Sequence, residues 1–433
     1  MSFLILGFAL LNISFSYFFL KKMSWVLILI QAYWFFWLFI SSFSLTGLFV
    51  PSNFTYFLYI MLLSFVTVGA GIFKLFSYKR KISLSSKSYS VFRILTKDKE
   101  KYFFIFILIF IFPVVLFFFL KSIYLHLMPD TVPHFRFRAY AYGLYGESIV
   151  FGKNKYLYYY SLAVMPLIFA SLFLGGAFFL RLNKIRVLIL ASILVAMDTL
   201  IFLGRFGFYY VLIEILFIFM VRAFRNRENI FKLFNRKYVF AVVGIFILIF
   251  FISTVRNPGK KISFKEIINY YLIDYHTESF ALFDTELKNE KSILHEKTYG
   301  RASLGGLERS FSFMLGLFKI PLQIQVQGDS IGSYLHENRL LGYTSDGTGK
   351  FYNAFGSVLF SLYKDGGIPF TIIMGILFGF LIAKFSHSFI SLNPYYLSLL
   401  ASLLYIGIFG IFKPVLGDEI LSTILFLNIF WRL

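Results

Sequence analysis

Two arginines stand where this chain could bind a phosphate. Arg205 lies in a tight Gly-Arg-Phe-Gly connection between two apolar stretches, and Arg256 ends a further apolar stretch. A guanidinium is a planar, permanently charged fork that can hold a phosphate or diphosphate through two hydrogen bonds. The alternative is a snorkelling arginine, or an ion pair with an acid such as Asp198, seven residues before Arg205. Together the two arginines favour diphosphate binding, with Asp198 as a supporting counter-ion.

Candidates for acid and base chemistry are concentrated in one long polar stretch, residues 255–350, which holds 12 Lys/Arg against 11 Asp/Glu. Within it, His276 and Glu278 are two residues apart, and His336 and Glu337 are adjacent. In such pairs one group can orient the other or shift its proton affinity. We therefore take these four as candidate catalytic residues, and we expect most other acids of the stretch to be solvated.

A third set of polar residues alternates with aromatic ones between positions 134 and 145. Arg136, Arg138 and Tyr142 belong to this alternation, which would place both arginines on one side of an extended segment. Basic groups beside tyrosines suit an anionic, sugar-bearing ligand. The alternative is an interfacial aromatic belt with anchoring charges.

The composition excludes a soluble protein. The chain is 59% hydrophobic and 15% charged, with a mean hydropathy of +0.76, values typical of an integral membrane protein. Its net charge of +21 is distributed over short connections, a pattern that orients helices in a bilayer and does not indicate nucleic-acid binding. The chain has no cysteine. Asp284-Thr-Glu286 lacks a third ligand at a fixed offset, so we predict no metal site and no cofactor.

We predict an all-α polytopic protein with about 11 transmembrane helices. Apolar stretches long enough to cross a bilayer lie near residues 2–20, 24–42, 54–73, 102–120, 159–180, 187–203, 207–221, 238–255, 367–384, 395–412 and 417–433. Basic residues fall in alternate connections, which predicts an extracytoplasmic N-terminus and a cytoplasmic C-terminus. The first stretch lacks a basic leader and a cleavage site, so we expect it to be retained. Asp198 and Glu214 lie inside spans, and the role of Glu214 stays open.

Three regions follow from this topology. Residues 1–255 form an N-terminal bundle with a smaller outer loop at 121–158, and residues 256–350 form a large extracytoplasmic loop between the eighth and ninth spans. Residues 351–433 form a short re-entrant or amphipathic segment followed by the C-terminal spans. A turn at Asp365 and Gly366 leads into the next span, with Asp365 expected to cap that helix or to bind an arginine.

This architecture resembles that of the Wzy-type O-antigen polymerases, also called oligosaccharide repeat unit polymerases. Two local features carry the resemblance: Gly204-Arg205 at the start of a span, and Asn353-Ala-Phe followed by Tyr363-Lys-Asp365-Gly366-Gly367. The resemblance implies a supporting role for Asn353, Asp365 and Gly366. Related O-antigen ligases commonly have a histidine where this chain has Tyr352, which favours the polymerase over the ligase.

The resemblance implies a membrane glycosyltransferase of the bacterial inner membrane. Its donor is a growing glycan on undecaprenyl diphosphate, and its acceptor is a sugar hydroxyl of a new lipid-linked repeat unit at the periplasmic face. Membrane lipids and a chain-length regulator protein are the implied partners. A lipid-linked oligosaccharide flippase is the alternative that is not an enzyme, and O-antigen ligase is the nearest alternative enzyme. A solute transporter fits less well, because the spans show no pairing that indicates inverted repeats.

Overall fold

The computed structural model describes residues 1–21, 24–78, 98–128, 135–141, 146–226, 243–244, 247, 267–318, 320, 325–353, 356–386 and 388–432. Eight helices precede the long polar stretch: α1 (Ser2–Leu20), α2 (Trp25–Ser41), α3 (Asn53–Tyr78), α4 (Asp98–His126), α5 (Phe135–Ala139), α6 (Asn154–Leu182), α7 (Arg186–Ile201) and α8 (Phe206–Asn226). Later elements are α9 (Tyr275–Lys288), α10 (Gly305–Leu317), α11 (Gln327–Leu335), β1 (Asn338–Tyr343), β2 (Gly349–Asn353), α12 (Val358–Ser386), α13 (Pro394–Phe409) and α14 (Ile420–Arg432).

Six of these helices, α1, α3, α4, α6, α8 and α12, are long and apolar enough to cross a membrane. Helices α2, α13 and α14 are shorter and also apolar. The chain is therefore a helical membrane protein, as its composition predicts, because a bilayer requires each spanning segment to satisfy its own backbone hydrogen bonds. The predicted total of about 11 spans stays a prediction, and the stretch 238–255 lies almost wholly outside the described residues.

The chain divides into two compact units. The first comprises residues 1–81, 261–387 and 403–421. Within it, α3 and α12 pack backbone to backbone along small residues. A Cβ added at Gly379 would lie 1.8 Å from the Val66 carbonyl oxygen, and one added at Gly69 would lie 2.0 Å from that of Ile376. Glycine at these positions permits the close approach that small residues give membrane helices.

Helix α9 is anchored on the N-terminal end of α3. Asp284 of α9 accepts hydrogen bonds from the Ser52 backbone N–H, at 2.9 Å, and from the Thr55 hydroxyl, at 2.7 Å. One face of α9 packs into an aromatic core: the rings of Phe280 and Tyr59 are 4.9 Å apart. These contacts place a helix of the long polar stretch directly against the N-terminal helices of the chain.

Strands β1 and β2 form an antiparallel hairpin, in which Arg339 pairs with Tyr352. The hairpin is held to the connection between α2 and α3, because the Phe49 N–H donates to the Leu341 carbonyl at 2.8 Å. A buried Glu286 joins α9 to the start of β1 through ion pairing with Arg339. The sequence indicated one short apolar helix at 351–363. The structure instead has strand up to Asn353 and helix from Val358, because the first residues of this segment pair with β1 in the hairpin.

Helix α12 is interrupted near its beginning. Gly366 and Gly367 have non-helical dihedral angles, and Gly367 has φ +64°, in agreement with the predicted turn. Immediately before them, Asp365 is fully buried. It accepts hydrogen bonds from the Thr298 hydroxyl and from the backbone N–H groups of Ala302 and Ser303. Asp365 therefore fixes the turn at 298–303.

The second unit comprises residues 82–260, 388–402 and 422–433. Here a buried Glu100 at the start of α4 pairs with Lys184, at 2.9 Å, and with Arg186, at 2.7 Å. Helices α6, α7 and α8 pack together, and a Cβ added at Gly176 of α6 would lie 1.6 Å from an oxygen of Glu214. The glycine thus makes space for a buried carboxyl group.

Candidate functional site

A cluster of polar side chains joins α9 and its preceding turn to strand β2 in the first unit. Asp274 ends a π-helical segment that leads into α9 and is 2% exposed. Its Oδ2 accepts hydrogen bonds from Lys350 Nζ, at 2.7 Å, and from the Tyr352 hydroxyl, at 2.5 Å. Lys350 also donates to the Thr46 carbonyl, at 2.9 Å. Asp274 Oδ1 is buried and has no hydrogen-bond partner among the residues that the structure describes.

Glu278 lies one helical turn after Asp274, on the same face of the helix. It is 1% exposed, and within the described part of the chain its Oε1 has no hydrogen-bond partner. Burial and the nearby negative charge of Asp274 raise the pKa of Glu278 well above its usual value, which favours its protonated form. Two carboxyl groups one helical turn apart in a buried site form a pair suited to proton transfer. Burial and Asp274 also raise the pKa of Tyr352.

His276 lies between aromatic side chains. Its ring stacks on Trp37, with centroids 4.0 Å apart, and meets Phe412 edge-on at 4.6 Å. The Nδ1 is 2.6 Å from the Leu272 carbonyl oxygen, to which it donates. This leaves Nε2 as the lone-pair nitrogen of a neutral ring. Burial lowers the pKa of His276 to about 4, so the ring is a free base at neutral pH.

The other predicted catalytic pair lies at the turn between α11 and β1. His336 and Glu337 are both exposed, and the Glu337 carboxylate is 3.6 Å from Arg339. Asn338, the next residue, pairs with Asn353 across the hairpin. The hairpin therefore brings Glu337 near the backbone of Asn353. Glu278, by contrast, lies beside Asp274 on the same helical face, and tertiary contacts bring it near strand β2.

Asp365 and Gly366 have structural roles close to those predicted. Asp365 does support local structure, but its partners are Thr298, Ala302 and Ser303. Asp365 was expected to cap the following helix; in the structure it holds a turn that is distant in sequence. Gly366 takes part in the break of α12.

In the second unit, an aromatic contact joins the segment of Arg136 and Arg138 to the segment just before Arg205. The ring of Tyr140, which follows Arg136 and Arg138, stacks on Phe202 with centroids 4.4 Å apart. Phe202 precedes the Gly204-Arg205 turn. Arg136 lies over the Tyr140 ring, 5.8 Å from Cζ to the centroid. This ring contact joins the segments that carry Arg136 and Arg205, which are far apart in sequence. The structure has Arg136 and Arg138 in α5, a short helix, where an extended segment was expected.

Asp198 lies beneath this aromatic cluster. It is buried and accepts a hydrogen bond from the Tyr160 hydroxyl at 2.8 Å, and Tyr160 packs on Phe151 at 4.9 Å. Glu214 is also buried, and neither of its oxygens has a hydrogen-bond partner in the described segments. The predicted residues Arg256 and Tyr142 lie outside the described residues.

Sequence reasoning missed three members of the polar cluster that joins α9 to β2: Asp274, Lys350 and Tyr352. Asp274 could have been found, because the spacing of four from Glu278 puts two acids on one helical face. Lys350 and Tyr352 gave a weaker signal, an alternation in a short strand. Their positions opposite Asp274 depend on the hairpin contacts.

No protein-family model, curated protein or solved structure matches this chain.

Proposed function

We propose that this protein polymerises undecaprenyl-diphosphate-linked oligosaccharide repeat units by glycosyl transfer at the periplasmic face of the bacterial inner membrane. The observation that supports the proposal most is the buried pair of Asp274 and Glu278. It lies on a helical segment of the long polar stretch, and burial raises the pKa of Glu278 above its usual value. Such a pair suits the removal of a proton from an acceptor hydroxyl.

The reaction also needs positive charge where the diphosphate leaves. Arg205 and Arg256 are the proposed ligands of the diphosphate, because fixed cations stabilise the charge that develops in the transition state. Arg136 and Arg138 are the proposed glycan-binding arginines. Arg136 lies over Tyr140, whose ring stacks on Phe202 close to the turn of Arg205, which supports an anionic, sugar-bearing ligand in this part of the second unit. The chemistry assigned here needs no metal ion.

A glycan ladder from a deletion strain tests the function. A strain without this protein is expected to attach single repeat units to its surface lipid, and the restored gene is expected to return long chains. A strain that attaches no repeat unit at all would indicate a flippase or a ligase. This measurement separates the polymerase from the two alternatives, because only loss of a polymerase leaves single repeat units attached.

The diphosphate role is tested at Arg205. Arg205→Ala is expected to lower polymer formation about 10- to 100-fold, since a hydrogen bond to a charged group contributes about 1.5–3 kcal/mol. Arg205→Lys is expected to recover activity only in part, because a point charge does not replace the planar fork. Arg222→Ala, at the other end of α8, is the matched control and should give near-normal polymer. Normal polymer from Arg205→Ala would remove Arg205 from the site.

A further inference from the structure

Only a few contacts connect Asp274 to the protein surface. Asp274 is 2% exposed. Its two described side-chain partners, Lys350 and Tyr352, are more accessible to solvent. Lys350 has no acceptor capacity while it is charged. The phenol oxygen of Tyr352 can accept one proton while it donates its own to Asp274. Among the described contacts, the Tyr352 hydroxyl is therefore the route by which a proton can reach Asp274.

The surroundings of Tyr352 suit a sugar substrate. Its ring stacks on Tyr270, with centroids 5.9 Å apart and planes inclined by 24°. Tyr270 is 48% exposed, so a solvent-accessible aromatic side chain lies beside the hydroxyl that contacts Asp274. An aromatic ring of this kind offers an apolar body next to a polar group. The arrangement provides a surface for a sugar ring within reach of a proton acceptor.

We propose that Tyr352 is the catalytic residue that contacts the acceptor hydroxyl, and that Asp274 is the proton acceptor behind it. This inference rests on the proposed glycosyl transfer and names the residues that would carry its proton. Burial disfavours the charged form of Glu278, whereas hydrogen bonds from Lys350 and Tyr352 stabilise negative charge on Asp274. Lys350 is a positioning residue, because its bonds to Asp274 and to the Thr46 carbonyl hold the carboxylate in place.

The proposed step balances in atoms and electrons. The acceptor oxygen forms a bond to the anomeric carbon of the donor sugar, and the bond from that carbon to the diphosphate oxygen breaks. The leaving diphosphate keeps the electron pair of the broken bond. The acceptor proton moves to the Tyr352 oxygen as the phenol proton moves to Asp274 Oδ2. Asp274 then returns this proton to water by the reverse route, which restores the site.

The test uses full-length protein in proteoliposomes with lipid-linked repeat units. Tyr352→Phe keeps the stacked ring and removes only the hydroxyl. Asp274→Asn keeps the shape and removes the base. Both are expected to lower kcat about 100-fold or more, with a small change in KM, since general bases contribute 10²- to 10⁴-fold. Tyr343→Phe and Asp346→Asn, at exposed positions of the same hairpin, are matched controls and should keep the wild-type rate.

A pH profile separates the proton-transfer role from a structural one. The charged and titratable groups facing Asp274 are Glu278, Lys350 and Tyr352, with Tyr270 beside them. The wild-type rate is expected to fall at acidic pH, because a general base acts only in its unprotonated form. This fall should persist in Glu278→Gln and disappear from the residual activity of Asp274→Asn. A fall that persists in Asp274→Asn would overturn the assignment.

The possible failures are distinguishable. If wild-type protein forms no polymer, the proposed function is wrong and this inference falls with it. If wild-type protein is active and Tyr352→Phe and Asp274→Asn are equally active, only the inference is wrong. Where Asp274→Asn does not accumulate in the membrane, Tyr352→Phe decides the question, because it leaves the ion pair with Lys350 in place.

Discussion

Two residues of α9, two positions apart, show opposite effects of burial on a titratable group. Burial penalises the charged form, so it lowers the pKa of His276 to about 4 and raises that of Glu278 well above its usual value. Burial therefore favours the neutral form of both groups. In His276 this leaves one ring nitrogen without a proton, and in Glu278 it favours the protonated carboxyl group.

The stability of the protein is expected to depend on pH through His276. Its pKa lies near 4 in the folded chain and near 6.5 when exposed, so below pH 6.5 the unfolded state binds the additional proton. The corresponding stability is complete above pH 6.5 and is lost as the pH falls towards 4, by at most about 3 kcal/mol. Thermal unfolding at several pH values should show a shallower decline in His276→Gln. Equal slopes for both proteins would contradict the prediction.

Asp365 is expected to tolerate asparagine only in part. Its Oδ1 accepts from Thr298 and Ala302, and its Oδ2 accepts from the Ser303 N–H. Asp365→Asn would set an amide NH₂ against a backbone donor, at a cost of about 1–3 kcal/mol, while Asp365→Ala would leave all three donors without a partner and cost more. Thermal unfolding in detergent measures both. Asp346→Asn, at an exposed turn, is the control and should leave the unfolding temperature unchanged.

At the scale of secondary-structure elements, backbone contact between α3 and α12 shapes the first unit. Such contact requires glycine at the crossing, because any side chain there would meet a carbonyl group of the other helix. The break at Gly366 and Gly367 then redirects the chain at the end of α12 that holds Asp365. The positions of Asp365 and of the turn at 298–303 therefore depend on the same helix.

Gly379→Ala is expected to destabilise the protein by about 1–3 kcal/mol or more, the usual cost of overpacking. The added methyl group would lie 1.8 Å from the Val66 carbonyl oxygen, so the helices would have to separate. Gly7→Ala in α1 is the matched control, since nothing lies within 4 Å of its added Cβ. Unfolding temperatures in detergent compare the two. A Gly379→Ala protein as stable as Gly7→Ala would contradict the close packing of α3 and α12.

At the scale of the whole molecule, orientation in the membrane is tested by single-cysteine labelling, because the natural chain has no cysteine. Glu290→Cys, in the long polar stretch, is expected to react with an impermeant thiol reagent in intact spheroplasts. Ile185→Cys, in a basic connection, is expected to be shielded until the membrane is opened. Both side chains are exposed on the protein. The reverse labelling pattern would contradict the predicted topology and the proposed location of the site at the periplasmic face.

The sequence by itself determined that this is a helical membrane protein, because hydropathy is a local property that each segment of about 20 residues carries alone. It also indicated the break at Gly366 and identified His276 and Glu278 as candidates for acid and base chemistry. The effect of burial on their pKa values could not be predicted, since burial depends on neighbours such as Trp37 and Phe412.

Only the tertiary structure decided which groups meet. Lys350 and Tyr352 reach Asp274 across 76 and 78 residues of chain, and Asp365 holds a turn more than 60 residues before it. These contacts depend on the hairpin and on the helix packing of the first unit. No local pattern encodes such pairings, because a polar side chain finds its partner only after apolar packing has positioned the backbone that carries it.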